Sequence, residues 1–471
     1  MLTWLEVDGF KNLFDVRVEF GPFTCIAGAN GAGKSNLFDA IQFLSLLASK
    51  SLDEAAREVR GVVGDPRDLF WNGYAPGEHR MKFTVEMIVP QAVKDDRGRP
   101  AVPSITYLHY ELELGYSPPS GIEKIGRLGL ISESLYPVPL DDPDRWPRFP
   151  HTAESFRDSV LAGSRSLDAA FISTSTEDGE DVVRIHRDDG RGGRPRFAAV
   201  VAQTPATVVS TITTSDDPTI LVARREMQSW RRLALEPTML RASDDYRAPR
   251  VMDATGLHLP ATLRRIGYED GDPERVYARV VGRLADLSGL KVRTLTVHED
   301  DGRELLTVHL TERSGMTLPA RSLSEGTLRF LALCVLLEDP SVTGLLCMEE
   351  PENGIHPASI GAMVNLVRDL AVDVDYAPGA DNPLRQVIIN THSPYVVQLV
   401  DPGDLLFADT ALQHAPDGRT HSPGLLLRPL DDTWRTAPHG AVRQVPPIAK
   451  PGILPYLTTP PGALLTLETT T

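Results

Sequence analysis

The sequence predicts an α/β protein with a mixed sheet, an antiparallel β lobe and an inserted helical lobe. Three observations lead to this prediction. A glycine-rich segment near residue 30 separates a short apolar run from a pattern of helical period. A second apolar run ends in two adjacent glutamates near residue 350. Segments between residues 83 and 114 alternate apolar with polar side chains, as half-buried strands do.

The glycine-rich segment Gly28–Ser35 fits the phosphate-loop pattern G-x-x-x-x-G-K-[ST]. Phe23–Ala27 predicts a buried strand before the loop, and apolar residues recur at helical spacing after it. This order directs the N-terminus of a helix at an anion. We therefore expect a P-loop nucleotide site, in which Lys34 reaches the β- and γ-phosphates and Ser35 binds Mg²⁺. The predicted nucleotide-binding residues of this loop are Asn30, Gly31, Gly33, Lys34, Ser35 and Asn36.

A chain of 471 residues with 41% hydrophobic content has the size and composition of two or three globular domains. No run approaches the roughly 18 consecutive apolar residues of a membrane span, and the first residues do not resemble a secretion signal. Cys25, Cys334 and Cys347 lie in apolar runs without C-x-x-C spacing. That pattern favours buried thiols over a zinc site or a disulfide framework. We therefore expect a cytoplasmic protein without membrane contact.

The formal net charge is −16, from 64 acidic and 48 basic side chains. Phosphate binding depends on Lys and Arg, so this balance argues against a protein that covers nucleic acid with its whole surface. A local basic groove stays possible, and arginines concentrate in 184–196 and 224–250. The first of these stretches is also typical of a solvated, turn-rich loop. DNA or another nucleic acid therefore remains an open partner.

An apolar run from Gly344 ends in Glu349 and Glu350, and Pro351 and Gly354 end the predicted strand sharply. Open α/β sheets bind ligands at the carboxyl ends of their strands. Glu349 is placed to hold Mg²⁺, directly or through water, and Glu350 to orient and deprotonate an attacking water. The alternative interpretation is an acidic loop after a core strand.

Two further segments complete the candidate site. Ser324 is a good helix N-cap before an apolar helical face that starts at Leu328, and on its own this segment indicates only a capped helix. Val387–Asn390 predicts another strand, followed by His392. A histidine at that position can hydrogen-bond a γ-phosphate or the attacking water, although a lone histidine in a turn usually has no such role.

The four segments, in this order, resemble the ABC-type ATPases of the SMC, RecF and OLD-like group, often called AAA-family predicted ATPases. The resemblance covers residues 1 to about 50 and about 225 to 407. Its closest motifs are Phe10–Leu13, Gly28–Asn36, Leu323–Arg329, Glu349–Pro357 and Thr391–Pro394.

This resemblance implies a P-loop NTPase fold with an ABC-type ATPase head that binds ATP and Mg²⁺ and hydrolyses ATP. It further implies a head-to-head homodimer or higher oligomer, in which Ser324 and Gly326 bind the γ-phosphate held by the opposite protomer. Glu350 and His392 are the implied catalytic residues, and Ser35 and Glu349 the metal ligands. Two departures stand out. Glu349 fills a position usually held by Asp, and no glutamine is assigned to the Q-loop.

The predicted organisation has four segments. Residues 1–140 form an N-terminal ATPase half with the phosphate loop and the β lobe, and 141–290 an inserted, partly helical lobe. Residues 291–440 form the C-terminal ATPase half, and 441–471 a Pro- and Thr-rich tail. No sustained heptads occur, so we expect no coiled-coil arms. We also expect no TOPRIM nuclease domain.

Family resemblance then suggests the ATPase sensor subunit of a bacterial anti-phage or toxin-type defence system with a separate effector protein. Two alternatives stay open. One is a RecF-like ATPase of DNA repair or recombination, and the other is a scaffold that hydrolyses ATP too slowly to cycle. A transporter motor is disfavoured because the inserted segment does not look like the compact helical domain of those subunits.

Overall fold

The structure is a computed structural model of the chain. It describes residues 1–62, 64–75, 77–121, 124–163, 170–188, 195–288, 292–414, 421–436, 445–449 and 451–453. Most of the predicted tail, including residues 454–471, lies outside the described residues. The chain divides into two compact units. The first is Met1–Trp230, Val374–Pro378 and Asp401–Thr471, and the second is Arg231–Asp373 and Gly379–Val400.

The described part of the chain contains strands and helices of very different lengths. The strands are β1 (Leu2–Asp8), β2 (Val16–Glu19), β3 (Phe23–Gly28), β4 (Arg80–Ile88), β5 (Val93–Lys94), β6 (Pro100–Ala101), β7 (Tyr107–Ser117), β8 (Arg127–Pro137), β9 (Ile172–Glu177), β10 (Glu180–Ile185), β11 (Arg196–Val200), β12 (Arg231–Leu233), β13 (Asp244–Asp245), β14 (Val292–Asp300), β15 (Leu305–Glu312), β16 (Thr317–Pro319), β17 (Gly344–Glu349), β18 (Arg385–Thr391), β19 (Leu405–His414) and β20 (His421–Pro429). The helices are α1 (Lys34–Leu47), α2 (Leu52–Glu58), α3 (Asp158–Val160), α4 (Val208–Thr211), α5 (Pro218–Gln228), α6 (Pro237–Leu240), α7 (Leu259–Asp270), α8 (Pro273–Ser288), α9 (Glu325–Glu338), α10 (Ile360–Asp369) and α11 (Pro394–Leu399).

An eight-stranded antiparallel sheet dominates the first unit, in the order β11-β10-β9-β8-β7-β4-β1-β2. The alternating segments predicted as strands are its β4 and β7, so that prediction is confirmed. The buried face of the sheet packs on α1. There the Phe43 ring stacks on Phe10 with centroids 5.7 Å apart and lies 6.0 Å from the Phe83 ring. Phe83 of β4 and Phe10 therefore belong to a core beneath α1.

Strand β3 leads directly into the glycine-rich loop of the first unit. All six of its residues are buried, as the apolar run predicted, and β19 lies parallel to it. β20 pairs with β19 in the antiparallel direction. A strand that is buried on both faces reads as a continuous apolar run rather than an alternating one. This explains why Phe23–Ala27 could be predicted as a buried strand although its apolar residues do not alternate with polar ones.

The second unit contains three parallel strands in the order β12-β17-β18. The pairing of Glu349 with Asn390 aligns the carboxyl ends of β17 and β18. A second sheet is antiparallel and has β15 at its centre, where it pairs with β13, β14 and β16. Its strands β14 and β15 form a hairpin around Asp301 and Gly302.

The predicted inserted segment, 141–290, is shared between the two units, because the boundary falls at Trp230. Its strands β9 to β11 extend the large antiparallel sheet of the first unit, while α7 and α8 belong to the second. The segment boundaries stay a prediction. In the part of the chain that the structure describes, no helix has the length and apolar character to cross a membrane.

Candidate nucleotide site

The phosphate loop connects β3 to α1 in the first unit. Gly31 has a φ of 84° and Gly33 a φ of 98°, in the left-handed region where glycine carries no steric penalty. A Cβ atom at Gly33 would lie 2.0 Å from Nδ2 of Asn12, whereas one at Gly31 would meet nothing within 4 Å. Gly33 is also the N-cap residue of α1, and no side chain caps this helix. The first amides of α1 therefore suit an anion.

Lys34 is buried, with 6% of its surface exposed, and its ammonium lies over the loop. Nζ donates to the carbonyl oxygen of Gly28 at 2.7 Å and to that of Ala29 at 2.8 Å. A buried ammonium needs such acceptors, since burial without them is costly. The bonds hold the cation where phosphate oxygens can compete for it. Asn30 and Gly31 are exposed, and Ser35 and Asn36 are half-buried in the first turn of α1.

Asn12 fixes this loop from outside it. Its Oδ1 accepts a hydrogen bond from Nδ2 of Asn36 at 2.7 Å, and its own Nδ2 donates to the carbonyl of Ala32 at 3.3 Å. Asn36 was predicted to bind nucleotide, and the structure shows its amide held by Asn12. Sequence reasoning gave Asn12 no role. The available signal was its place in the Phe10–Leu13 motif.

Glu349 ends β17 in the second unit, at the edge where open sheets bind ligands. Its Oε2 lies 3.1 Å from the guanidinium of Arg232 on β12. Its Oε1 is buried and has no hydrogen-bond partner among the described residues. A buried carboxylate oxygen without a donor is an unusual feature that fits a cation ligand. The residue present at this position therefore suits Mg²⁺, directly or through its water.

Glu350 and His392 lie together, just after the ends of the parallel strands β17 and β18. Nδ1 of His392 is 2.7 Å from Oε1 of Glu350, and Nδ2 of Asn353 donates to Oε2 at 2.6 Å. The backbone N–H of Glu350 donates to the carbonyl and side-chain oxygens of Asn390, at 3.0 and 3.1 Å. Glu350 has a φ of 45°, rare for a residue other than glycine. Such backbone conformations persist where surrounding contacts impose them, often at functional sites.

Glu352 is a third carboxylate of this loop that sequence reasoning did not single out. It is 7% exposed, and Oε1 accepts a hydrogen bond from the hydroxyl of Thr391. Burial raises the pKa of Glu352, and the neighbouring charge of Glu350 acts in the same direction. Its position within the Glu349–Pro357 motif was the available signal.

Ser324 is the N-cap residue of α9, as the sequence predicted. Its Oγ accepts from the backbone N–H of Thr327 at 3.2 Å. Ser324 is exposed and Gly326 is half-buried. The apolar face that begins at Leu328 is buried, which confirms the predicted helix. The cap accounts for one amide of the first turn, so other amides there can still bind an anion.

A cavity of about 210 Å³ lies beside the carboxylates of the second unit. Its wall is formed by β12 and the residues after it, by α9, and by the end of β17 with the loop that follows, including Arg232, Leu235, Arg329, Glu349, Glu350 and Asn353. The two arginines were not predicted. Arg232 follows another arginine before an apolar run and Arg329 closes the Leu323–Arg329 motif, but neither context indicates a partner. No three His, Cys, Asp or Glu side chains converge as a metal site within the described residues.

The predicted site residues thus fall into two sets. The loop residues from Asn30 to Asn36 belong to the first unit. Ser324, Gly326, Glu349, Glu350 and His392 belong to the second. Within the second unit the structure brings Glu349, Glu350 and His392 to the ends of adjacent strands.

Comparison with solved structures finds SMC head domains. The SmcHead bound to the C-winged helix domain of ScpA is 14% identical over 90% of this chain and 98% of that chain, with a TM-score of 0.45. The SMC head domain from Thermotoga maritima is 12% identical over 90% and 98%, with a TM-score of 0.37. The Smc head domain with an extended coiled coil, bound to the C-terminal domain of ScpA derived from Pyrococcus furiosus, is 13% identical over 90% and 96%, with a TM-score of 0.39.

No curated protein matches the chain. A family described as "AAA domain, putative AbiEii toxin, Type IV TA system" matches residues 23–91 and 105–398. These ranges contain the phosphate loop, both glutamates, the capped helix and the histidine, which are the segments that the geometry singles out. The chain therefore belongs to this family of AAA domains and has a P-loop NTPase fold.

Proposed function

We propose that this chain binds ATP with Mg²⁺ and hydrolyses it. Lys34 and the amides of the glycine loop would hold the phosphates. Ser35 and Glu349 would hold Mg²⁺, which would offset phosphate charge. Glu350 takes a proton from water as the water oxygen attacks the γ-phosphorus. The bond to the β–γ bridging oxygen breaks, and ADP and phosphate leave. His392 orients Glu350 through the contact of its Nδ1 with the carboxylate.

The observation that carries this proposal is the arrangement around Glu350. Its carboxylate is held at one oxygen by His392 at 2.7 Å and at the other by Asn353 at 2.6 Å. A general base must be held in a defined orientation to accept a proton efficiently. The left-handed backbone of Glu350, a conformation that clusters at functional sites, supports the same role.

The test is ATP turnover by Glu350→Gln. We expect nucleotide binding to persist and kcat to fall by a factor of at least roughly 10², because amide oxygen is a far weaker base than carboxylate. Glu274→Gln, at an exposed position in the first turn of α8, is the matched control and should keep wild-type turnover. Unchanged turnover in Glu350→Gln would contradict the assignment. Very slow turnover in the wild type itself would favour the ATP-dependent scaffold.

We further propose that ATP closes a head-to-head homodimer with composite sites. Ser324 and Gly326 support this, because they lie at the accessible N-terminus of a 14-residue helix. A helix N-terminus stabilises negative charge and presents free amides. In a closed dimer the γ-phosphate held by the partner's loop would supply that charge.

For the biological role we propose a cytoplasmic ATPase subunit of a toxin-type or anti-phage system, with a separate effector protein. The support is the family description, which names a putative toxin and a type IV toxin–antitoxin system. The test expresses the chain with its genomic neighbours in a bacterial host and measures phage plaques and host growth, with the Glu350→Gln chain as control. Protection or growth arrest that requires Glu350 supports this role. Sensitivity to DNA damage after deletion, without either phenotype, would favour the RecF-like alternative.

A further inference from the structure

The first turns of α9 contact the loop that carries Glu350 at two points. Nη1 of Arg329 donates to the carbonyl oxygen of Asn353. A Cβ atom at Gly354 would lie only 3.3 Å from the same Nη1, and Gly354 has a φ of 77°. A Cβ at Gly326 would lie 3.5 Å from the carbonyl oxygen of Gly354. Helix and loop therefore approach each other closely, with a glycine on each side.

Asn353 extends this contact to the carboxylate. The carbonyl of Asn353 is held by Arg329, and its side-chain Nδ2 donates to Oε2 of Glu350 at 2.6 Å. Asn353 itself is exposed, so packing does not define its orientation. The hydrogen bonds of its carbonyl and its side-chain amide define that orientation instead. One hydrogen-bonded path thus joins α9 to Glu350.

Arg329 also has a polar atom without a hydrogen-bond partner in the described part of the chain, beside the cavity near Glu349 and Glu350. Its Nε is buried and lacks a hydrogen-bond partner within the described ranges, as does Oε1 of Glu349. Both residues line the cavity of about 210 Å³. A buried donor is rarely left unused in a residue whose only role is packing. The position of Arg329 therefore indicates more than a structural contact.

We propose that Arg329 and Asn353 are positioning residues for ATP hydrolysis, with Arg329 holding Asn353 and Asn353 holding Glu350. This inference rests on the proposed function and names how Glu350 is oriented. Arg329 lies near the start of α9, the helix whose N-terminus carries Ser324 and Gly326. The hydrogen bonds of Arg329 and Asn353 therefore connect the N-terminus of α9 to the proposed general base Glu350 within one chain. Loss of either positioning residue affects the chemical step rather than nucleotide binding.

The experiment measures steady-state ATP hydrolysis by Arg329→Gln, Arg329→Lys and Asn353→Ala. We expect Arg329→Gln and Asn353→Ala to lower kcat about tenfold with KM within about twofold, as for a misplaced base. Arg329→Lys should stay within about threefold of wild type, because it keeps a donor for the carbonyl of Asn353. The double variant Arg329→Gln/Asn353→Ala should lose no more than the worse single variant, since both act through one carboxylate.

The Glu350→Gln background gives the sharpest comparison. Adding Arg329→Gln there should leave the residual turnover unchanged within about twofold, and a further tenfold loss would overturn the inference. Arg264→Gln is the matched control, because it makes the same substitution at an arginine of the second unit that pairs with Glu299, at 2.9 Å, and should keep wild-type kcat. If turnover never depends on Glu350, the proposed function fails. If it does, but Arg329→Gln and Asn353→Ala keep wild-type kcat, the inference alone fails.

Discussion

At the scale of single residues, Lys34 shows how a binding cation is kept ready in a P-loop. Its buried ammonium is bonded to the carbonyls of Gly28 and Ala29, the same loop whose amides suit phosphate. Phosphate oxygens carry full negative charge, so they compete well with neutral carbonyl acceptors. Glu349 shows the complementary arrangement, with one oxygen held by Arg232 and the other unpartnered within the described residues.

Lys34→Ala should abolish tight ATP binding. The substitution removes the cation placed for the β- and γ-phosphates, and we expect the dissociation constant to rise at least roughly 100-fold. Calorimetric titration with a slowly hydrolysed ATP analogue measures this. Lys50→Ala removes a half-buried lysine outside the loop that pairs with Glu58, and this variant should bind like wild type. Near-wild-type affinity in Lys34→Ala would rule out the phosphate-loop assignment.

At the scale of elements, the loop between β3 and α1 depends on two different glycine requirements. Gly33 needs both its positive φ and the absence of a side chain, because Asn12 lies against it. Gly31 needs the positive φ alone, since the space around it is open. The sequence pattern identifies the loop. The stricter requirement at Gly33 than at Gly31 arises from Asn12, which belongs to another segment of the chain.

We expect Gly33→Ala to lower the free energy of unfolding by more than Gly31→Ala. The left-handed conformation costs alanine about 1 kcal/mol at either position, and the clash with Asn12 adds to it at Gly33. Urea denaturation followed by fluorescence measures both. An equal decrease in the free energy of unfolding in the two variants would show that the loop moves away from Asn12 without an energetic cost.

Another element, the short helix α4, begins on a buried carboxylate. Glu133 is fully buried and accepts hydrogen bonds from the N–H groups of Val208 and Val209 and from the hydroxyl of Tyr110. Burial raises the pKa of Glu133 to about 7 from an ordinary value of 4.5. The folded chain therefore binds more protons than the unfolded chain between these two values, and stability falls as pH rises through that window.

The raised pKa of Glu133 predicts that the free energy of unfolding decreases as pH rises from 4.5 to 7. Each unit of pKa difference corresponds to about 1.4 kcal/mol, so up to about 3 kcal/mol is lost between pH 4.5 and 7, with no further loss above. Denaturant unfolding of wild type and Glu133→Gln across this range measures it. The variant lacks the titrating group, so the unfolding free energy of wild type minus that of Glu133→Gln should fall as pH rises through this window. A difference that does not change with pH would contradict this pKa direction.

At the scale of the whole molecule, the proposed dimer requires that each site uses Lys34 of one protomer and Ser324 of the other. Mixing Lys34→Ala with Ser324→Arg chains should then restore one intact site per heterodimer, because each chain supplies what the other lacks. ATP turnover of the mixture is the measurement, with exchange of protomers shown by native mass spectrometry. We expect activity in the mixture and almost none in either variant alone.

Titrating wild type with the Ser324→Arg chain refines this result. A linear fall of activity means that the two sites act independently, and a quadratic fall means that both are needed for turnover. If neither variant hydrolyses ATP and the heterodimers are equally inactive, while the titration falls linearly, the composite site is wrong.

Much of the candidate site was predictable because its signals are local. The phosphate loop is a contiguous pattern, and Glu349, Glu350 and His392 follow apolar runs that read as strands. Parallel strands present their carboxyl ends at one edge, so their proximity follows from the strand assignment alone. The capped start of α9 at Ser324 is equally local, because an N-cap contacts its own first turn.

What the sequence determined by itself was therefore the family, the fold class and the residue types at the ends of these elements. The tertiary structure decided which partners hold them: Asn12 against the loop, Arg232 on Glu349, and Arg329 and Asn353 behind Glu350. The reason is physical. Secondary structure follows from periodicity within a few residues, whereas the approach of two side chains distant along the chain depends on how whole elements pack.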